Sequence, residues 1–257
     1  MGIINVTPDS FYHGSRYGTD KEILIAAGKM IGEGADMLDV GGYSSRPGAE
    51  DIPEQEERRR VINAIKLIVR EYPDAVISVD TFRSEIALEA VLDAGALIIN
   101  DISAGDADPA MFDVVRRLNV PFIMMHMKGT PSTMQVNPVY EDVVAEILKY
   151  FGEHIHRLRT EGVKDIIIDP GFGFGKTVSH NFDLLNRLED LSIAGLPLMV
   201  GISRKSMVWK TLGISADEAL NGTTALHAVA LRKGADILRV HDVKEAVQTV
   251  KLISKLQ

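Results

Sequence analysis

The strongest constraint on the fold is a joint that recurs along the chain: a helical pattern ends in glycine and runs at once into a short apolar segment. Gly34-Ala35-Asp36-Met37-Leu38-Asp39-Val40 and Gly234-Ala235-Asp236-Ile237-Leu238-Arg239-Val240 are near copies, and Gly95-Ala96-Leu97-Ile98-Ile99-Asn100 echoes them. Gly162 and Gly195 stand at equivalent joints. Glycine at this place ends a helix in the left-handed conformation. Runs such as Leu97-Ile98-Ile99 and Ile166-Ile167-Ile168 are continuous rather than alternating. Strands of that kind are buried on both faces, which marks a parallel sheet covered by helices. Segments 2–5, 36–40, 75–80, 96–100, 120–126, 165–169, 196–201 and 236–240 are predicted strands. Segments 21–33, 53–72, 84–94, 109–118, 140–161, 179–190, 216–233 and 243–256 are predicted helices. Eight units in 257 residues average about 32 residues each, a normal βαβ length. No Pro/Gly/Ser-rich linker interrupts them. The pattern predicts α/β architecture, a single (β/α)8 TIM barrel, with residues 1–257 as one domain. A doubly wound open sheet would need a nucleotide-binding loop after its first strand, and the loop here is not one.

In such a barrel the active site lies at the C-terminal ends of the strands. Those ends carry Asn5, Asp39, Asp80, Asn100, His126 and Asp169, then Ser203-Arg204-Lys205 beyond the seventh strand and Arg239 with His241 at the eighth. Any one of these has an ordinary explanation in capping a helix or satisfying a loop. Polar groups at all eight ends, converging on one mouth, are harder to explain that way. Arg204, Lys205, Arg239 and His241 fall after strands 7 and 8, where barrels often bind phosphate, and guanidinium groups suit an oxyanion. The other half of the mouth holds Asp80, Asn100 and Asp169, the inventory that reads a heterocycle bearing N–H donors and a carbonyl. The same carboxylates are also compatible with a glycosidase pair or metal ligation.

Composition narrows the chemistry. The absence of cysteine excludes disulfide scaffolds, thiolate metal sites and a cysteine nucleophile. A net charge of −8 argues against non-specific nucleic-acid binding, so any anion site must be local. No apolar run approaches a membrane span and no targeting segment is visible, which predicts a cytoplasmic protein.

Several strings imitate known motifs. Gly171-Phe172-Gly173-Phe174-Gly175-Lys176-Thr177 fails the phosphate-loop pattern at Pro170 and the dinucleotide pattern at Lys176. Gly201-Ile202-Ser203-Arg204-Lys205 fails the nucleophile elbow at Lys205. His154 and His156 are two apart on a helix, so they point away from one another. The run Glu54-Gln55-Glu56-Glu57-Arg58-Arg59-Arg60 reads as a solvated helix face.

The motifs together closely resemble the dihydropteroate synthase family. They are 1–11 (Met1 to Phe11), Ser44-Ser45-Arg46-Pro47-Gly48, Ser78-Val79-Asp80-Thr81 and Ile99-Asn100-Asp101-Ile102-Ser103. Further along come Met125-His126-Met127-Lys128-Gly129-Thr130-Pro131, 169–176, Ser203-Arg204-Lys205-Ser206 and Arg239-Val240-His241-Asp242-Val243. The resemblance implies a pterin-binding barrel, a homodimer, that uses Mg2+ to join 6-hydroxymethyl-7,8-dihydropterin diphosphate to p-aminobenzoate. It implies that Asp80, Asn100, Ile102, Met124, Asp169, Gly201 and Lys205 hold the pterin. Asn5, Ser45, Arg46, Arg239 and His241 would bind the diphosphate, with Asn5 also at the metal. Phe11, Ser45, Pro47, Phe174, Lys205 and Ser206 would form the p-aminobenzoate pocket. Lys205, Asp80, Arg239 and His241 would carry the catalysis.

An aromatic amine is already unprotonated at neutral pH, so the demanding step is loss of diphosphate. Mg2+, Arg and protonated His suit that leaving group, which predicts an SN1-like substitution at the pterin methylene. The first two loops depart from the family: His13 stands where Asp is common, and Tyr43 where Glu is common. A pterin-dependent methyltransferase would need no diphosphate site, so Arg46, Arg239 and His241 argue against it. The intact set of polar residues likewise argues against a paralogue that binds pterin without turnover.

Overall fold

The computed structural model describes residues 1–7, 19–44, 52–131, 133–134 and 136–256. Among the described residues eight parallel strands alternate with helices. They are β1 (Gly2–Asn5), β2 (Met37–Gly41), β3 (Val76–Asp80), β4 (Ile98–Asp101), β5 (Phe122–Met125), β6 (Ile166–Asp169), β7 (Met199–Val200) and β8 (Ile237–Leu238). The first six form one sheet in chain order and the last two pair together. Bridges Ile168↔Leu198 and Gly2↔Val240 join the two groups, and Ile3 N–H to Val240 O at 3.0 Å completes a closed (β/α)8 TIM barrel.

The helices are α1 (Asp20–Gly32), α2 (Glu54–Glu71), α3 (Ser84–Glu89), α4 (Met111–Leu118), α5 (Val143–Thr160), α6 (Val178–Asn186), α7 (Ser206–Leu212), α8 (Leu220–Arg232) and α9 (Val243–Ile253). Their starts follow local chemistry. Thr19 and Glu22 form a capping box at α1, and Asp142 accepts from the Val144 and Ala145 amides at α5. The five joint glycines all have positive φ, between 62° and 97°. The predicted helix 84–94 is α3 continued by a π-helical turn at Ala90–Ala94, and 179–190 is α6 followed by a 3-10 turn at Leu188–Ala194. The segment predicted as 216–233 is shorter as α8, and α7 is a separate helix before it. No helix among the described residues is long and apolar enough to cross a membrane.

Both faces of the strands are buried, as the continuous apolar runs predict. Alternate residues point to different cores. Leu38, Ile77, Ile99, Phe122 and Ile168 join the large core beneath the helices, whereas Ile98, Ile123 and Met199 pack with Met1 inside the barrel.

Candidate active site

Strand register builds the mouth. Asn5 pairs with Gly41, Gly41 with Asp80, and Asp80 with Asn100. Paired positions share a face of the sheet, so Asn5, Asp80 and Asn100 stand in one tier. Gly41 leaves room within it, since a Cβ there would lie 3.2 Å from Asp80 Oδ2. One tier deeper, fully buried Asp39 accepts from Asn100 Nδ2 at 3.0 Å and from Arg239 Nε at 2.6 Å. Arg239 Nη2 reaches Asp80 Oδ2 at 2.6 Å, and its Nη1 edge has no partner among the described residues. Burial opposes the Arg239 charge, but Asp39 and Asp80 outweigh it and hold the guanidinium above its ordinary pKa. Burial raises the Asp80 carboxyl, against the pull of Arg239 and with the help of Asp39.

Asp169 and Lys205 face this cluster. A Cβ on Gly201 would stand 3.7 Å from Lys205 Nζ and 4.0 Å from both Asp169 Oδ2 and Arg239 Cβ, so the missing side chain leaves the space where the three meet. Asp169 accepts from the Gly171 amide at 2.8 Å; burial raises its pKa, opposed by Lys205. Lys205 donates to the Phe172 carbonyl and lies 4.6 Å from the centre of the Phe174 ring. Burial lowers its ammonium to about 8, against the pull of Asp169. Beside these charges Ile102, Met125, Met134 and Phe174 form an apolar wall backed by Phe82 and Met127.

The glycine-rich loop after β6 owes its shape to Lys176. Its buried amino group bonds Gly171 O at 2.9 Å, Phe174 O at 3.0 Å and His126 O at 3.4 Å, and its Nζ lies 3.0 Å from His126 Nδ1; burial holds its pKa well below the ordinary lysine value. The lysine that gives the string its phosphate-loop look thus faces protein carbonyls. His126 stays neutral there, lowered to about 2 by burial and then by the Lys176 charge.

Three expectations change. Met124 is not at the mouth: its side chain lies in the core beneath the helices, and Met125 takes the place beside Ile102. A strand flips its side chains at every residue, so an assignment one position away falls on the wrong face. Arg204 leaves the expected cation group. It is buried, pairs through both Nε and Nη2 with Asp242 at 2.8 and 2.9 Å, and donates to the Ala216 and Asp217 carbonyls. His241 is not a cation either. Burial, with Arg239, lowers its pKa to about 3, and its Nδ1 lies 3.1 Å from Ser203 Oγ.

Asp39 stands among the strand-end groups of the sequence without a role of its own; the structure makes it the acceptor that joins Asn100 to Arg239. Ser206 opens α7, directly after Lys205. Phe11, Ser45, Arg46, Pro47 and His13 lie outside the described residues. Tyr43 is described, and its ring meets Phe82 edge-on at 5.0 Å. No group of three His, Cys, Asp or Glu side chains among the described residues could hold a metal. The neutral amide of Asn5 at the rim fits a Mg2+ ion whose other oxygens come from a phosphate ligand and water, the usual way this ion is bound.

Residues 1–241 match a family model described as "Pterin binding enzyme". The chain is 43% identical over 255 residues to the dihydropteroate synthase of Escherichia coli (strain K12), covering 98% of this chain and 89% of that one. It is 40% identical over 258 residues to that of Bacillus subtilis (strain 168), covering 100% and 87%. A solved Yersinia pestis dihydropteroate synthase in complex with a sulfonamide drug superposes with a TM-score of 0.95 at 38% identity, covering 99% and 92%. The Xanthomonas albilineans enzyme with 4-aminobenzoic acid gives 0.90 at 39% identity, covering 100% and 92%.

Proposed function

The chain belongs to the dihydropteroate synthase family of pterin-binding enzymes, and on that premise we propose that it condenses 6-hydroxymethyl-7,8-dihydropterin diphosphate with p-aminobenzoate, releasing diphosphate. It is a transferase. One observation carries the substrate reading: carboxylates, an amide and a lysine converge with Arg239 and an apolar wall at one mouth.

In this reading Asp80 and Asp169 accept N–H donors of the pterin, and Asn100 and Lys205 bond its ring. Ile102 and Met125 cover the ring face. The free Nη1 edge of Arg239 and the imidazole of His241 meet the diphosphate, together with Arg46 and Ser45. Phe174, Phe11, Pro47 and Ser206 border p-aminobenzoate. Mg2+, held in part by Asn5, would supply charge neutralisation at the leaving diphosphate. The paired charge of Arg239 stays in place because two carboxylates raise its pKa. Departure of diphosphate before attack by the amine, an SN1-like order, suits a site with acceptors around the ring and donors at the leaving group.

The test is diphosphate release by the purified protein with the pterin diphosphate and Mg2+, with and without p-aminobenzoate. Amine-dependent formation of dihydropteroate is expected, and its absence would overturn the assignment. A secondary isotope effect near unity at the methylene would overturn the SN1-like order alone. The reading includes a homodimer, for which light scattering should give twice the 28.2 kDa chain mass.

A further inference from the structure

Two neighbouring pairs tie the loop after β7 to the loop after β8. Arg204 grips Asp242 through both Nε and Nη2, and Ser203 bonds His241 twice. Arg204 adopts φ of +53°, and its own amide donates to Thr223 Oγ1 at 3.1 Å. The residues next to Ser203 and His241 are therefore fixed, and the distance between the two side chains is set by the fold.

The hydrogen bonds of Ser203 decide where the imidazole proton sits. Ser203 is buried, and its Oγ accepts the His241 backbone N–H at 3.2 Å. Its hydroxyl hydrogen needs an acceptor of its own. Among the described residues the one acceptor within reach is His241 Nδ1, at 3.1 Å. A proton on Nδ1 would leave two hydrogens facing each other and the buried hydroxyl donor without a partner. We infer that Ser203 is a positioning residue that holds His241 as the neutral Nε2–H tautomer, so that this imidazole meets the diphosphate as a fixed hydrogen-bond donor rather than as a cation. The inference rests on the proposed function for the identity of the anion, but not for the state of the ring.

The surroundings favour the same state. Burial lowers the pKa of the ring, and the positive charges of Arg239, Arg204 and Lys205 lower it further. Asp242 acts in the other direction, and Arg204 already holds it. An imidazolium would add a cation beside three others. A neutral donor adds a directed bond without that repulsion.

Long-range nitrogen–proton NMR of the full-length protein reads the tautomer directly, with the His241→Gln variant identifying the signal. At neutral pH the wild-type ring is expected to carry its proton on Nε2, and Ser203→Ala is expected to redistribute it towards Nδ1. Ser203→Thr, which keeps the hydroxyl, should restore the wild-type pattern. Calorimetry with inorganic pyrophosphate and Mg2+ should show Ser203→Ala binding roughly tenfold more weakly, the effect of losing about one hydrogen bond. The KM for p-aminobenzoate should change little. A wild-type ring protonated on Nδ1 or on both nitrogens, or a Ser203→Ala ring unchanged from wild type, overturns the inference. If the tautomer is as stated but pyrophosphate does not bind, the proposed function fails and the assignment of the ring stands.

Discussion

Arg239 and Lys205 are both half-buried cations at the mouth, yet the fold holds them differently. Arg239 is the counter-ion of two carboxylates, one of them wholly buried. Arg239→Ala should abolish turnover and also cost about 3–5 kcal/mol in urea unfolding, because Asp39 and Asp80 would be left uncompensated. Adding Asp39→Asn should return part of the stability but none of the activity. Lys205 has a carbonyl, an aromatic face and Asp169 for company, so Lys205→Ala should lower turnover by orders of magnitude with a smaller stability loss. His227 makes a different case: it is buried in α8, its Nε2 has no hydrogen-bond partner among the described residues, and burial lowers its pKa to about 4. Its folded pKa lies below the unfolded value of about 6.5, so the unfolded chain binds the proton first as pH falls. Its contribution to stability is complete above pH 6.5 and is lost between 6.5 and 4, at about 1.4 kcal/mol per pH unit. His227→Leu should therefore flatten that part of the stability curve, and an unchanged slope would contradict the neutral assignment.

At the scale of elements, the segment after β6 shows how a loop becomes part of a site. Gly171 has φ of +68°, and a Cβ there would come within 2.0 Å of the His126 carbonyl oxygen. Gly171→Ala should cost about 3 kcal/mol, the sum of left-handed strain and a backbone clash, and raise the KM for p-aminobenzoate. Equilibrium unfolding and steady-state kinetics read the two effects separately. The resemblance assigns Phe174 to the p-aminobenzoate pocket, and its ring stands in the apolar wall. The sequence could not place Lys176, because a lysine in a glycine-rich string looks the same whether it faces solvent, phosphate or three buried acceptors. The same holds for Arg204: its position after the seventh strand suggested an anion site, and only the approach of Asp242, 38 residues on, turned it into a clamp.

At the scale of the whole molecule, the net charge of −8 surrounds a mouth where Lys205 and Arg239 meet three acids. An anion that binds this mouth should stabilise the entire barrel, because β1 and β8 close it beside the residues concerned. Pyrophosphate with Mg2+ at 100 times its Kd should add about 2.7 kcal/mol, seen as a rise in melting temperature; no rise at saturating concentration would exclude the anion site. What the amino-acid sequence determined by itself is the repeat: continuous apolar runs, glycine joints and capping residues are local signals. Local signals suffice for eight strands, their order and the polar groups at their ends. What the tertiary structure decided is which of those groups face one another. Met125 rather than Met124 at the wall, Asp39 beneath Asn100, and Ser203 against His241 all depend on register and on contacts between distant segments. Such contacts form where a closed barrel brings strand ends together, and no spacing along the chain encodes those distances.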